Sequence, residues 1–304
     1  MANWNDILLE INGIQQSHDD VRRKYLKKMH EYTKRNVIIY YSGWLQKPNI
    51  KTTGINDADK NGFMAVINKL DRKKGLDLVI HTQGGGTAAT ESIVDYLKSM
   101  FGSDIRAFVP QLAMSAGTMI ACSCKEIFMG KHSSLGPIDP QLGNIAAQGV
   151  VEEFYRAHKE IKKDPSLIPV WQPIIANYSP TFIGECEKAI KWSKEMVTEW
   201  LEKGMFNNDK KKKQKVRKIV KELISHDVTK SHDRHISIEK CKEIGLKISA
   251  LEDDSKLQDA VLSLHHACIH TLSGTGASKI IENHTGKAYI DITQPQLQQM
   301  LIPK

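Results

Sequence analysis

Between residues 36 and 129 short apolar runs alternate with segments of helical period, and this alternation leaves few architectures open. Asn36-Val37-Ile38-Ile39-Tyr40-Tyr41 is β-branched and aromatic, which suits a buried pleated surface, and reads as a strand. From Asp57 to Leu70 the apolar residues Phe63, Val66, Ile67 and Leu70 fall on one side of a helix. Leu76 to Ile80 is a second strand. Thr87 to Phe101 is a second helix, with Ile93, Val94, Leu97, Met100 and Phe101 on one face. Ile105 to Val109 is a third strand, Ala113 to Ala121 begins a helix of small residues, and Glu126 to Met129 is a fourth strand. Strands and helices alternating at this spacing form βαβ units, hence a mainly parallel sheet with right-handed crossovers. Asp19 to Lys34 is a polar helix, so residues 1–35 are expected to form an N-terminal arm that packs on a neighbouring subunit. Trp171 to Gly204 and Lys210 to Ser225 are helix-rich, and no internal repeat interrupts the pattern. The expected fold class is α/β: a core over residues 36–250, with a helical and strand extension over 251–304.

The net charge of +8 raises the question of an acidic partner. Much of that excess lies between Asp209 and Lys218, where no aromatic residue is interleaved with the lysines to stack on bases. The run reads as a solvated helix face rather than a nucleic-acid contact. Five cysteines, an odd number without a repeating framework, fit a reducing cytosol. The polar start Met1 to Asp6 lacks the basic-then-apolar order of a signal peptide, and no apolar run is long enough to span a bilayer. A cytoplasmic protein with no transmembrane segment is expected.

In open α/β sheets chemistry gathers beyond the carboxyl ends of the strands. Two loops there have suitable residues. Gly84-Gly85-Gly86 follows the second strand directly; without Cβ atoms its backbone can approach a ligand and aim N–H groups at developing negative charge. The triplet equally suits a phosphate cradle, although it matches neither G-x-G-x-x-G nor a P-loop, and no cofactor is expected. Ser115, in Met114-Ser115-Ala116-Gly117-Thr118, stands where a helix begins. Its hydroxyl there serves either as a nucleophile or as an ordinary N-cap, and the surroundings are not the G-x-S-x-G elbow.

Four segments bear on that choice together: Thr82-Gln83-Gly84-Gly85, Ser115-Ala116-Gly117-Thr118, Leu135-Gly136-Pro137-Ile138-Asp139-Pro140-Gln141 and His232-Asp233-Arg234-His235-Ile236. In this order they resemble the serine dehydrogenase proteinase family of the ClpP/crotonase-like superfamily, related to signal peptide peptidase A. The likeness covers roughly residues 36 to 250. It implies the ClpP/crotonase ββα-spiral fold, a peptide or protein substrate and a homo-oligomer. It also implies a triad of Ser115 as nucleophile, Asp139 as orienting carboxylate and His232 as general base, with Gly85 and Ala116 as oxyanion donors. His235 is a rival base three residues on, and Lys159 would serve in a Ser–Lys dyad like that of related signal-peptide peptidases. A crotonase-type acyl-thioester enzyme and a catalytically inert assembly subunit share the fold. His81 is expected to line the site without taking part in chemistry. His265, His266 and His270 lie on one apolar helix with no evident further ligand, so no metal site is expected.

Overall fold

The structure, a computed structural model, describes residues 4–13, 17–143, 145–224 and 231–293. Two helices, α1 (Trp4–Gly13) and α2 (His18–Thr33), come first. Ser17 and Asp20 cap α2 reciprocally, each side chain accepting from the other residue's backbone N–H. β1 (Asn36–Ser42), α3 (Ala58–Ile67), β2 (Leu76–His81), α4 (Thr87–Phe101) and β3 (Ile105–Val109) form the expected βαβ units. Next are β4 (Leu112–Ala113), α5 (Ala116–Ser123), β5 (Glu126–Met129) and three two-residue strands, β6 (Ser134–Leu135), β7 (Gln141–Leu142) and β8 (Ile145–Ala146). Four helices follow: α6 (Ala147–Lys163), α7 (Ile168–Ile175), α8 (Phe182–Lys203) and α9 (Lys212–Ile224). The remainder is β9 (Ile236–Ser237), α10 (Ile238–Ile244), β10 (Ile248–Ala250), α11 (Ser255–Gly274), β11 (Ala277–Asn283) and β12 (Ala288–Ile292). Among the described residues no helix is long and apolar enough to cross a membrane.

Seven strands form one sheet in the order β10-β5-β3-β2-β1-β11-β12. The five from β10 to β1 are parallel; β11 runs antiparallel to β1, and β12 to β11. The sheet is covered on both faces, which is why β1 and β2 read as largely apolar runs without a polar alternation. Ile38, Tyr40, Leu78 and Ile80 pack into a core under α3, α4, α5, α8 and α9, whereas Val37, Ile39, Tyr41 and Val79 pack against α1, α2 and α11.

The N-terminal helices pack on this chain's own core rather than standing apart as an arm. Val21, Tyr25, Leu26 and Met29 bury one side of α2 in this chain's own second core. Arg22, fully buried, fastens it further, since its guanidinium meets Glu282 of β11 at 2.5 Å and the Thr271 hydroxyl at 3.1 Å. The polar composition of the helix reflects its outer face and this internal ion pair.

A second buried pair crosses the other face of the sheet. Lys279 of β11 donates to Asp59 at 2.6 Å and to the Gly54 carbonyl at 2.8 Å, and both charged side chains are fully buried. Asp59 also accepts from Tyr40 Oη at 2.7 Å and from the Asn56 N–H at 3.0 Å. Removing one partner of such a pair leaves an uncompensated charge in an apolar surround, a loss of about 3–5 kcal/mol. Asp59→Ala should lower stability in urea melts by that amount, and adding Lys279→Met should recover most of it. A double variant as unstable as Asp59→Ala would show that the stranded charge is not the cause.

Candidate active site

The geometry beyond the strand ends is set by a small three-stranded sheet in the order β4-β6-β9. β4 pairs with β6 in parallel, Ala113 opposite Leu135, and β6 pairs with β9 antiparallel, Leu135 opposite Ile236. The chain leaving β4, the chain leaving β6 and the chain entering β9 consequently share one end. Ser115 lies two residues past β4, Asp139 four past β6 and His232 four before β9. A bridge between Thr82 and Ala113 joins this unit to the end of β2, with Thr82 N–H on Leu112 O at 3.0 Å and Met114 N–H on Thr82 O at 2.9 Å. The glycine loop is thereby hung beside the serine turn.

Contact between the two loops is close. A Cβ on Gly84 would lie 2.7 Å from Ser115 Cβ and 3.0 Å from Ala116 N, and one on Gly85 would lie 2.2 Å from Ile55 N. Both glycines have positive φ, +104° and +156°. Glycine is required here by proximity as well as by backbone conformation. Ile55 holds the loop from the outside, donating to Gly84 O and accepting from Gly86 N–H, each at 2.8 Å. Gly84 N–H is engaged by Thr82 Oγ1 at 3.1 Å. Among the described residues Gly85 N–H has no acceptor, and Ala116 N–H, first in α5, is one of the donors every helix start leaves open.

Ser115 has φ +51° and ψ −116°, and its side chain makes no capping hydrogen bond to α5. The N-cap role open to it in the sequence is therefore not taken. A non-glycine residue in such a conformation costs about 1–3 kcal/mol and persists only where its surroundings enforce it. Thr118 supplies part of that enforcement. Its hydroxyl donates to Ala113 O at 2.7 Å and accepts from Gly136 N–H at 2.9 Å, pinning the serine turn to the Leu135–Gln141 segment.

Asp139 is buried, and its two oxygens have different partners. Oδ1 meets His232 Nδ1 at 2.9 Å, and Oδ2 accepts from Gln141 Nε2 at 2.9 Å. The hydrogen bond to Asp139 holds the His232 imidazolium above the usual histidine range, against the opposing effect of burial, with the charges of Asp139 and Asp233 adding to the rise. The partnership fixes Nδ1 as the protonated nitrogen and leaves Nε2 to act as acceptor when the ring is neutral.

Ser115, Asp139, His232, Gly85 and Ala116 all line one cleft of about 770 Å³. Trp44, Leu45, Leu112, Met114, Met119 and Ile138 form much of its apolar wall. His235 also borders the cleft, exposed, and has no hydrogen-bonding carboxylate among the described residues. Lys159 is exposed on α6 and is not among the residues lining the cleft. His81 is not part of the cleft wall either. It lies fully buried beneath the glycine loop, 4.5 Å from Trp44 and 5.4 Å from His265 between ring centroids. Burial pushes its imidazole down to about 3, and neither ring nitrogen has a hydrogen-bond partner among the described residues. His265, buried and also held well below the ordinary range by that burial, meets Tyr41 Oη at 3.2 Å. The roles of Ile55 and Gln141 escaped the sequence reading. Gln141 belongs to a segment read for its aspartate, while nothing local marks Ile55 as a brace.

Sheet, helical layers and strand-end loops together make this a ClpP-like α/β chain. It belongs to the family described as ClpP-like SDH-type serine proteinase, whose model matches residues 7–254. Two relatives, both uncharacterized proteins of Methanocaldococcus jannaschii, are each 31% identical to it over 202 and 201 residues. Each match covers 66% of this chain and 61% or 62% of the relative, so the chain spans less than two thirds of their length.

Two outcomes are expected from this geometry. In NMR titration of labelled histidines His232 should titrate above the ordinary 6.5, and Asp139→Asn should bring it back toward that value. An unshifted His232 in the wild type would contradict the Asp139 contact. Thr118→Val, which keeps shape but removes the hydroxyl, should lower stability by about 1–3 kcal/mol, since Gly136 N–H loses its buried acceptor.

Proposed function

We propose that the chain is a serine peptidase that cleaves peptide bonds through an acyl-enzyme on Ser115. The observation that carries this reading is the hydrogen-bonded Asp139–His232 pair facing the same cleft as a strained, uncapped serine. A serine hydroxyl is a weak nucleophile until a base takes its proton, and the base must be held in one tautomer. Asp139 would hold His232 with its proton on Nδ1. Nε2 would accept the Ser115 proton as Oγ bonds to the scissile carbonyl carbon, and the carbonyl π electrons would move to oxygen. The N–H groups of Gly85 and Ala116 would receive that oxyanion. Collapse of the adduct would expel the amine, which takes the proton from His232 Nε2. Water, deprotonated by the same imidazole, would then release the acid and restore the Ser115 hydroxyl.

Of the two candidate histidines, His232 is favoured by its carboxylate partner; His235 has only its place on the cleft wall. Lys159, exposed on α6, gives no support to a Ser–Lys dyad. The apolar cleft wall suits an extended peptide with at least one large apolar side chain. A homo-oligomer belongs to this reading through the family likeness, and a reducing cytosol through the five free buried thiols.

The test is a fluorophosphonate probe, which should label the wild type at Ser115 and leave Ser115→Ala unlabelled. Asp139→Asn and His232→Ala should slow labelling by roughly a thousandfold or more. Because the base must be neutral and its proton affinity is raised, the rate should climb with pH through a limb above 6.5. Folded wild-type protein that the probe never labels would sink the proposal.

A further inference from the structure

A second cavity, about 600 Å³, lies between α6, α8 and α9. Val151, Ile190, Val220 and Ile224 give it an apolar floor, and Tyr155 stands on its rim with 65% of its surface exposed. α8 connects it to the cleft, since Ser193 borders the cleft while Ile190 and Lys194 line this groove.

The charges around it are sorted. On α9, Lys213, Arg217 and Lys221 recur at every fourth position, so they form one stripe along the groove, and Lys194 faces them from α8. None of these four cations has a carboxylate partner among the described residues. Of the other cations on α9, Lys215 meets Asp209 at 2.5 Å and Lys218 the Glu243 carbonyl at 2.9 Å, while Lys212 lies outside the groove. The one carboxylate lining the groove, Glu152, accepts from Gln148 on its own helix. An unpaired basic stripe beside an apolar furrow is complementary to a chain with both carboxylates and large apolar side chains.

We propose that this groove docks an acidic, apolar-anchored segment of a protein partner, a short amphipathic stretch whose carboxylates meet the α9 stripe. A second copy of the chain carries a net charge of +8, which repels it overall, and residues 294–304 contain no Asp or Glu, so an acidic partner fits the stripe better than either. Bare polyanions satisfy the stripe and leave the floor and Tyr155 unused. The site is independent of the chemistry at Ser115.

Full-length Ser115→Ala protein, which keeps bound peptides intact, can be panned against a phage library of random peptides about fourteen residues long. Counter-selection uses the Lys213→Glu/Arg217→Glu/Lys221→Glu triple, all at exposed positions, or Arg217→Glu alone if the triple melts early. Enriched sequences should be net negative with two or more large apolar residues. A synthetic copy should bind about tenfold more weakly to the charge variant and to Tyr155→Ala, and weaken as salt rises. Three results would overturn the proposal. They are enrichment of neutral or basic sequences, or of none; binding indifferent to Tyr155→Ala, as RNA or anionic vesicles would give; and sedimentation showing that the triple dissolves a homo-oligomer.

Discussion

Everything at the candidate site hangs on a backbone ladder only a few residues wide. Thr82 pairs with Ala113, Ala113 with Leu135, and Leu135 with Ile236, so four chain segments remote in sequence are tied at one level. Neighbouring strands lie about 4.8 Å apart, and rungs of that spacing bring the flanking residues within reach of one another. The glycine loop, Ser115, Asp139 and His232 are brought to one end by their offsets from these rungs. A two-residue strand does little for stability by itself. Here it is a spacer, and the Thr118 hydroxyl and the Ile55 brace convert the spacing into a fixed orientation.

The two buried ion pairs sit one on each face of the main sheet, and both end on β11. Glu282 points to the face covered by α2, and Lys279 reaches Asp59 in the first turn of α3, on the face along which the loop leading into that helix runs. That loop carries Gly54, Ile55 and Asn56, so Lys279 and Asp59 stand behind the brace on the glycine loop. A strand that contributes no residue to the cleft thus supports one wall of it. It also lies outside the stretch matched by the family, which ends at residue 254.

Four strands of the large sheet, β1, β2, β3 and β5, were legible in the sequence because burial on both faces writes itself as runs such as Val37 to Tyr41 and Leu76 to Ile80, whereas β10, β11 and β12 were not singled out. The helices α3 and α4 were legible for the matching reason, a single apolar stripe. Strands β4, β6 and β9 were not, since two residues cannot display a period of two. The destination of α2 was also hidden, because Arg22 looks like a surface residue until Glu282, 260 positions away, comes beside it. At the site, the four motifs identified the residues but not their neighbours. Ser115 taken alone was ambiguous between nucleophile and cap, the surrounding motifs turned the reading toward the nucleophile, and the structure adds that no capping bond is made. His81 was misjudged as a wall residue because it adjoins the glycines in sequence, whereas the end of β2 turns it inward.

That inward turn gives the fold a liability in acid. His81 and His265 are enclosed as neutral rings, the former with its proton affinity pushed down to about 3. In the unfolded chain each takes up a proton near pH 6.5, as any solvated histidine does. Below that point the unfolded state binds more protons than the folded one, so stability falls with falling pH. Each such ring contributes up to about 1.4 kcal/mol per pH unit to that fall. The decline continues until the folded ring itself can be protonated. Two imidazoles packed behind the glycine loop thus act as proton sinks that only unfolding opens, and they weaken the fold as the pH falls below about 6.5.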